Sequence, residues 1–169
     1  MVLTGAGSRA KFCAMRSRRR LLTLVWTLLW VSPGVFADGA PWFGAWQLDP
    51  TRSSRAQPYK RVTLTIEPAG DGLKVTYDMV GTRGGVTHLE WTGGFDGRDQ
   101  PVQGADTVLT NAYRRVDDRS YAIEVKVDGA PVATAVAAVS PDGRTLTVTQ
   151  RERDAQGREV ESTAVYRRQ

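Results

Sequence analysis

The sequence predicts an all-β protein, folded as an antiparallel up-and-down β-barrel of about 8–10 strands. Three observations predict it. Apolar and polar residues alternate with a period of two through most of the chain beyond residue 42. Asp-Gly pairs separate the alternating runs, and no convincing 3.6-residue apolar stripe occurs there.

The alternation is explicit in several runs. Val62, Leu64 and Ile66 alternate with Thr63, Thr65 and Glu67, and Leu73, Val75, Tyr77 and Met79 alternate with Lys74, Thr76 and Asp78. Tyr121, Ile123, Val125 and Val127 alternate with Ala122, Glu124 and Lys126, and Leu146 and Val148 with Thr145, Thr147 and Thr149. Successive side chains of a strand point to opposite faces, so each run has one apolar and one polar face. The predicted strands are 43–48, 60–67, 72–80, 85–93, 99–103, 106–115, 119–128, 131–140, 144–153 and 158–168. Asp71-Gly72, Asp96-Gly97, Asp128-Gly129 and Asp142-Gly143 tolerate the positive φ of tight hairpins. Residues 81–85 (GTRGG) and 154–157 (DAQG) supply two more turns. Short connections make sequence neighbours spatial neighbours, and closing the meander removes its exposed edges. The alternative, a two-sheet sandwich, needs longer crossovers. Only 50–59 is long and irregular.

The first 37 residues differ from the rest. Arg16, Arg18, Arg19 and Arg20 precede an apolar run, 21–31, then Ser32-Pro33-Gly34 and Val35-Phe36-Ala37. This order predicts a secretory signal peptide, 1–37, cleaved near Ala37, followed by a single domain, 38–169. The run is shorter than the roughly 18–20 apolar residues of a membrane span, so the expectation is an exported protein, periplasmic or secreted, that does not span the membrane. Six of the 23 basic residues and none of the 18 acidic ones lie in 1–37, which leaves 17 basic and 18 acidic residues, a net charge near −1. The whole-chain pI of 9.7 therefore belongs mostly to the leader. Charges alternate in sign, as in Arg151-Glu152-Arg153-Asp154, and no basic stripe is left for nucleic acid. The single cysteine, Cys13, departs with the leader, so a packed core must stabilise the domain without disulfides.

Gly44-Ala45-Trp46 on the first strand, the meander, and the terminal Tyr166-Arg167-Arg168 resemble the calycin group, which includes lipocalins and intracellular fatty-acid-binding proteins. The segments FGAWQLDPTRS, LEWTGGFDGRDQPV, ADTV and DGRTLTVTQ are similar to small exported bacterial proteins described as lipocalin-like. The resemblance implies that Trp46 closes one end of the barrel, beside Gly44, under a basic residue of the last strand. Arg167 or Arg168 is the candidate, with Arg167 assigned to barrel closure. A guanidinium over an indole face is a favourable cation–π contact. The chain departs from the group in three ways: 50–59 is too short and polar for a two-helix lid, no C-terminal helix follows the last strand, and no disulfide is available.

Catalytic chemistry has little support. A serine triad would need His88 as base, and no serine sits on a Gly-x-Ser-x-Gly elbow. His88 and Glu90 share one strand face, whose alternates Leu89 and Trp91 are apolar, so they are expected outside in water and not on a metal. Asp117-Asp118 reads as a solvated turn. No catalytic residue, metal site or cofactor is therefore predicted. Tyr77, Trp91, Tyr113 and Tyr121 are the bulky interior candidates for contacting a ligand, or for simply filling the core. The run 131–140 places small residues on both faces, with Ala133, Ala135, Ala137 and Ala138, which either admits the opposite wall or leaves a cavity. The expected function is non-catalytic binding of a small apolar or amphipathic ligand by a monomeric barrel. The alternative is a cell-envelope structural or inhibitory interaction module with a filled barrel; an enzyme using an interior Tyr or Asp ranks third.

Overall fold

The computed structural model describes residues 39–54 and 59–169. The proposed signal segment, 1–37, and the middle of the irregular 50–59 stretch lie outside the described residues.

Ten strands follow one another: β1 (Gly44–Leu48), β2 (Tyr59–Ala69), β3 (Gly72–Gly81), β4 (Val86–Gly93), β5 (Gln100–Gln103), β6 (Leu109–Arg115), β7 (Ser120–Val127), β8 (Ala130–Val139), β9 (Thr145–Arg153) and β10 (Glu159–Arg168). Each pairs antiparallel with its sequence neighbours, and β1 pairs with both β2 and β10. The sheet is thus a closed up-and-down barrel, and the described residues contain no helix. Closure leaves no edge strand exposed for pairing with another chain.

The period-two pattern sets the inside and the outside. Val62, Leu64 and Ile66 of β2 and Leu73 and Val75 of β3 are buried, as are Tyr121 and Ile123 of β7 and Leu146 of β9. On β8 the inward positions are Ala133, Ala135, Ala137 and Val139, while Val132, Thr134 and Val136 stand in solvent. Outside, cross-strand partners match charge. Asp78 lies opposite His88 with their side chains 2.7 Å apart, and Lys74 reaches Glu90 at 2.7 Å.

The turns depart from expectation at one hairpin. Asp128 (φ 50°) and Gly129 (φ 78°) form the positive-φ pair that closes β7 onto β8. Between β2 and β3, however, Ala69 pairs with Gly72, so the two loop residues are Gly70 and Asp71, and Gly70 carries the positive φ of 56°. Gly72 serves close packing instead, because a Cβ there would lie 2.1 Å from the Gly93 carbonyl oxygen. The sixth strand also starts later than predicted, at Leu109.

Candidate functional site: a plugged barrel with a cavity above the plug

The strand directions give the barrel two ends. The start of β1, the end of β10 and the β8–β9 turn meet at one end, where the Arg168 amide donates to the Arg144 carbonyl at 3.0 Å. This end is plugged. Trp46 is fully buried, and its indole N–H donates to the Trp42 carbonyl at 2.9 Å. Trp42 packs edge-on against Phe95 and Tyr121, with ring centroids 5.6 and 5.5 Å away. Tyr121 stacks on Tyr113 at 5.4 Å, and Tyr113 stacks on Trp91 at 3.9 Å. Trp91 donates its indole N–H to the Asn111 carbonyl.

Two arginines cover the plug. Arg168, not Arg167, lies over the Trp46 ring, with its guanidinium carbon 4.3 Å from the centroid. The register explains the correction. Arg168 is directly opposite Trp46 and shares its inward face, whereas Arg167 is opposite Gln47 on the outside. The Arg168 guanidinium also donates to the carbonyls of Gly143 (2.6 Å), Phe43 (2.7 Å) and Pro41. Arg115 covers Trp42 at 5.5 Å, a contact the sequence did not flag. Gly44 makes room for the Arg168 clamp: its φ is +129°, and a Cβ would sit 2.8 Å from Arg168 Nη1.

Arg167 pairs with Asp49 at 2.9 Å. Asp49 is itself buried and accepts from the Thr51 hydroxyl (2.7 Å) and amide (3.1 Å). Those hydrogen bonds, the Thr51 hydroxyl foremost, hold its carboxyl below the ordinary carboxylate range; desolvation opposes them and Arg167 assists them. The segment beyond β1 continues along β10. The Asp49 amide donates to the Val165 carbonyl, the Ser54 amide to the Thr163 carbonyl, and the Ser53 and Ser54 hydroxyls accept from the Val165 and Thr163 amides. The short Asp-Pro-Thr-Arg-Ser run is thus a clasp across the barrel seam.

Above the plug the interior opens. A cavity of about 260 Å³ is lined by Tyr77 and Met79 of β3, Leu89 of β4, Val148 and Gln150 of β9, and Ser162, Thr163, Ala164 and Tyr166 of β10. Most of these side chains face inward yet are only half-buried, because this half of the barrel is not filled. Of the four interior candidates, Tyr77 lines the cavity; Trp91, Tyr113 and Tyr121 are buried in the aromatic stack that ends at Trp42. Tyr166, Met79 and Leu89 were not singled out, although the period of two places them on the same inner face.

Burial pushes the Tyr77 phenol up to about 12. The ring is set in the barrel wall, and part of its surface borders the open cavity. Burial first, and neighbouring tyrosines second, raise Tyr113, Tyr121 and Tyr166 as well, so all four phenols stay protonated through the neutral range. The His88–Asp78 pair and the Arg115–Asp118 pair are exposed outside the barrel. Among the described residues, no group of three or more His, Cys, Asp or Glu side chains could hold a metal ion, and no helix is long and apolar enough to cross a membrane.

The described barrel is similar to a crystal structure of zebrafish ileal bile acid-binding protein in complex with cholic acid, with a TM-score of 0.51 at 12% identity, covering 76% of this chain and 99% of that one. The fold is a calycin-type barrel. No protein-family model matches the chain, and no curated protein matches it in sequence. At 12% identity the likeness concerns the backbone architecture of the calycin barrel and leaves its interior to be read from its own side chains.

Proposed function

We propose that this calycin-type barrel is an exported, monomeric, non-catalytic binder of a small apolar or amphipathic molecule. The observation that carries the reading is the open half of the barrel, a cavity of about 260 Å³ whose wall is apolar and polar in about equal parts. A solid interaction module would fill both halves, and only the plugged end is filled. The structural neighbour named for bile acid binding, solved with cholic acid, supports an internal ligand in this architecture. Export rests on the basic, apolar and small-residue order of 16–37. The absence of catalysis is read from the cavity wall: the titratable side chains among its described lining residues, Tyr77 and Tyr166, are tyrosines raised by burial, which act as hydrogen-bond donors and not as bases near neutrality. Native mass spectrometry of protein purified from its own host tests the reading. A co-purified small molecule is the expected result. A persistent bare mass, with no uptake from lipid extracts of the host, would overturn it.

A further inference from the structure

The polar groups of the cavity lie at two depths, with an apolar belt between them. The β9–β10 register sets the levels on one wall. Leu146 is opposite Tyr166, Val148 opposite Ala164, and Gln150 opposite Ser162. The lining therefore runs from a phenol through apolar side chains to an amide and a hydroxyl as it leaves the plug. Thr163 also lines the cavity, beside Ser162. The deep level continues on the other wall, where Tyr77 is paired with Leu64, which is paired in turn with Trp46 of the plug. Burial first and the Tyr77 phenol second raise Tyr166, as expected for two phenols that approach each other across the floor. Met79, two residues beyond Tyr77 toward the open end, joins Val148 and Ala164 in the belt. Both polar levels hold groups free to bond a guest. The Tyr77, Tyr166 and Ser162 hydroxyls make no hydrogen bond to a described residue, and none of the three is sealed off by packing. The Gln150 amide nitrogen donates to Glu152 at 2.8 Å, but its amide oxygen accepts from no described residue. A guest polar at one end only would leave one level facing hydrocarbon, and a polar group so placed loses its hydration without return. From Tyr166 to Ser162 the strand advances four residues, about 13 Å. With carbon–carbon bonds near 1.5 Å, an extended chain of about ten carbons covers that distance.

Resting on the binding function above, we propose that the ligand is an aliphatic molecule that is polar at both ends. One oxygen-bearing end takes the Tyr77 and Tyr166 hydroxyls on the floor, and the chain crosses Met79, Val148 and Ala164. A hydroxyl at the other end accepts from Ser162 and donates to the Gln150 amide oxygen. The two levels account for a wall that is apolar and polar in about equal parts, whereas a one-headed chain needs polar groups at one level only.

Isothermal titration calorimetry of the protein with 1,10-decanediol and with 1-decanol near pH 7 tests it, because the two share a chain and differ by one terminal hydroxyl. The expected result is that the diol binds about three- to tenfold more tightly, the gain from one further hydrogen-bonded hydroxyl. That advantage should vanish in Ser162→Ala, which removes a partner at the open end, and in Tyr77→Phe combined with Tyr166→Phe, which removes the partners on the floor. The circular dichroism spectrum of both variants should be unchanged. A diol that binds no more tightly than the alcohol would overturn the two-ended assignment while leaving an internal binding site in place. An advantage that survives in both variants would overturn the roles of these hydroxyls. Failure of both probes to bind overturns the inference, and a bare mass after exposure to host lipids then separately overturns the binding function on which it rests.

Discussion

Gly44, Trp46 and Arg168 act as a unit: the glycine leaves space, the arginine fills it, and the indole lies beneath. Arg168 is held by three carbonyls, so it cannot swing away to accommodate a methyl group at position 44. Gly44→Ala should therefore cost about 1–3 kcal/mol, from backbone strain at φ +129° and the forced shift of the guanidinium, read by urea denaturation. Trp46→Ala should cost about 3–5 kcal/mol, as expected for a fully buried large aromatic. An effect below about 1 kcal/mol would mean that the ring does not close the barrel. Arg168→Met should destabilise more than Arg167→Met in the same assay, since only Arg168 touches the indole. The Gly-x-Trp pair and its basic partner were legible in the sequence, but the choice between the two arginines was not. It depends on whether Trp46 faces position 168 or 167 across the β1–β10 seam, a one-residue phase set by closure between opposite ends of the chain.

At the scale of elements, strand order and turns followed from alternation and turn residues, while the height of each side chain along the barrel did not. Trp91, Tyr113 and Tyr121 share the inward phase with Tyr77, but their stacking reaches down to Trp42. Trp42 precedes the first strand and so escapes any periodic signal. On the alanine-rich β8, Ala137, opposite Tyr121, is fully buried against the filled end. Ala137→Leu should thus cost about 1–3 kcal/mol through overpacking, read by urea denaturation. An effect near zero would contradict a barrel that is filled at this end. The last strand is a further test. Ending the chain before Val165 removes the Trp46–Arg168 and Leu48–Tyr166 pairs and exposes the edges of β1 and β9. The truncated protein should lose its β-sheet circular dichroism signal or aggregate.

For the molecule as a whole, the four interior phenols couple the barrel's stability to alkaline pH. A tyrosine in an unfolded chain ionises near pH 10. Tyr77 is pushed up to about 12 by burial, and Tyr113, Tyr121 and Tyr166 are raised by burial and by one another. Below the unfolded value both states keep these protons and the native state has its full advantage. As pH rises past about 10 the unfolded chain releases protons that the barrel retains, so the equilibrium shifts toward unfolding, and the contribution is lost as pH climbs through the folded values. The thermal midpoint should be nearly flat from about pH 7 to 9 and fall steeply above about 10. Tyrosinate absorbance near 295 nm should appear together with loss of the β-sheet signal, because these phenols ionise by unfolding the barrel. Tyr77→Phe removes one such group without disturbing the aromatic stack and should make the alkaline decline shallower. Tyrosinate absorbance that developed fully near pH 10 in a barrel still folded by circular dichroism would mean that water reaches all four phenols, and the aromatic stack at the plugged end would then not exclude solvent.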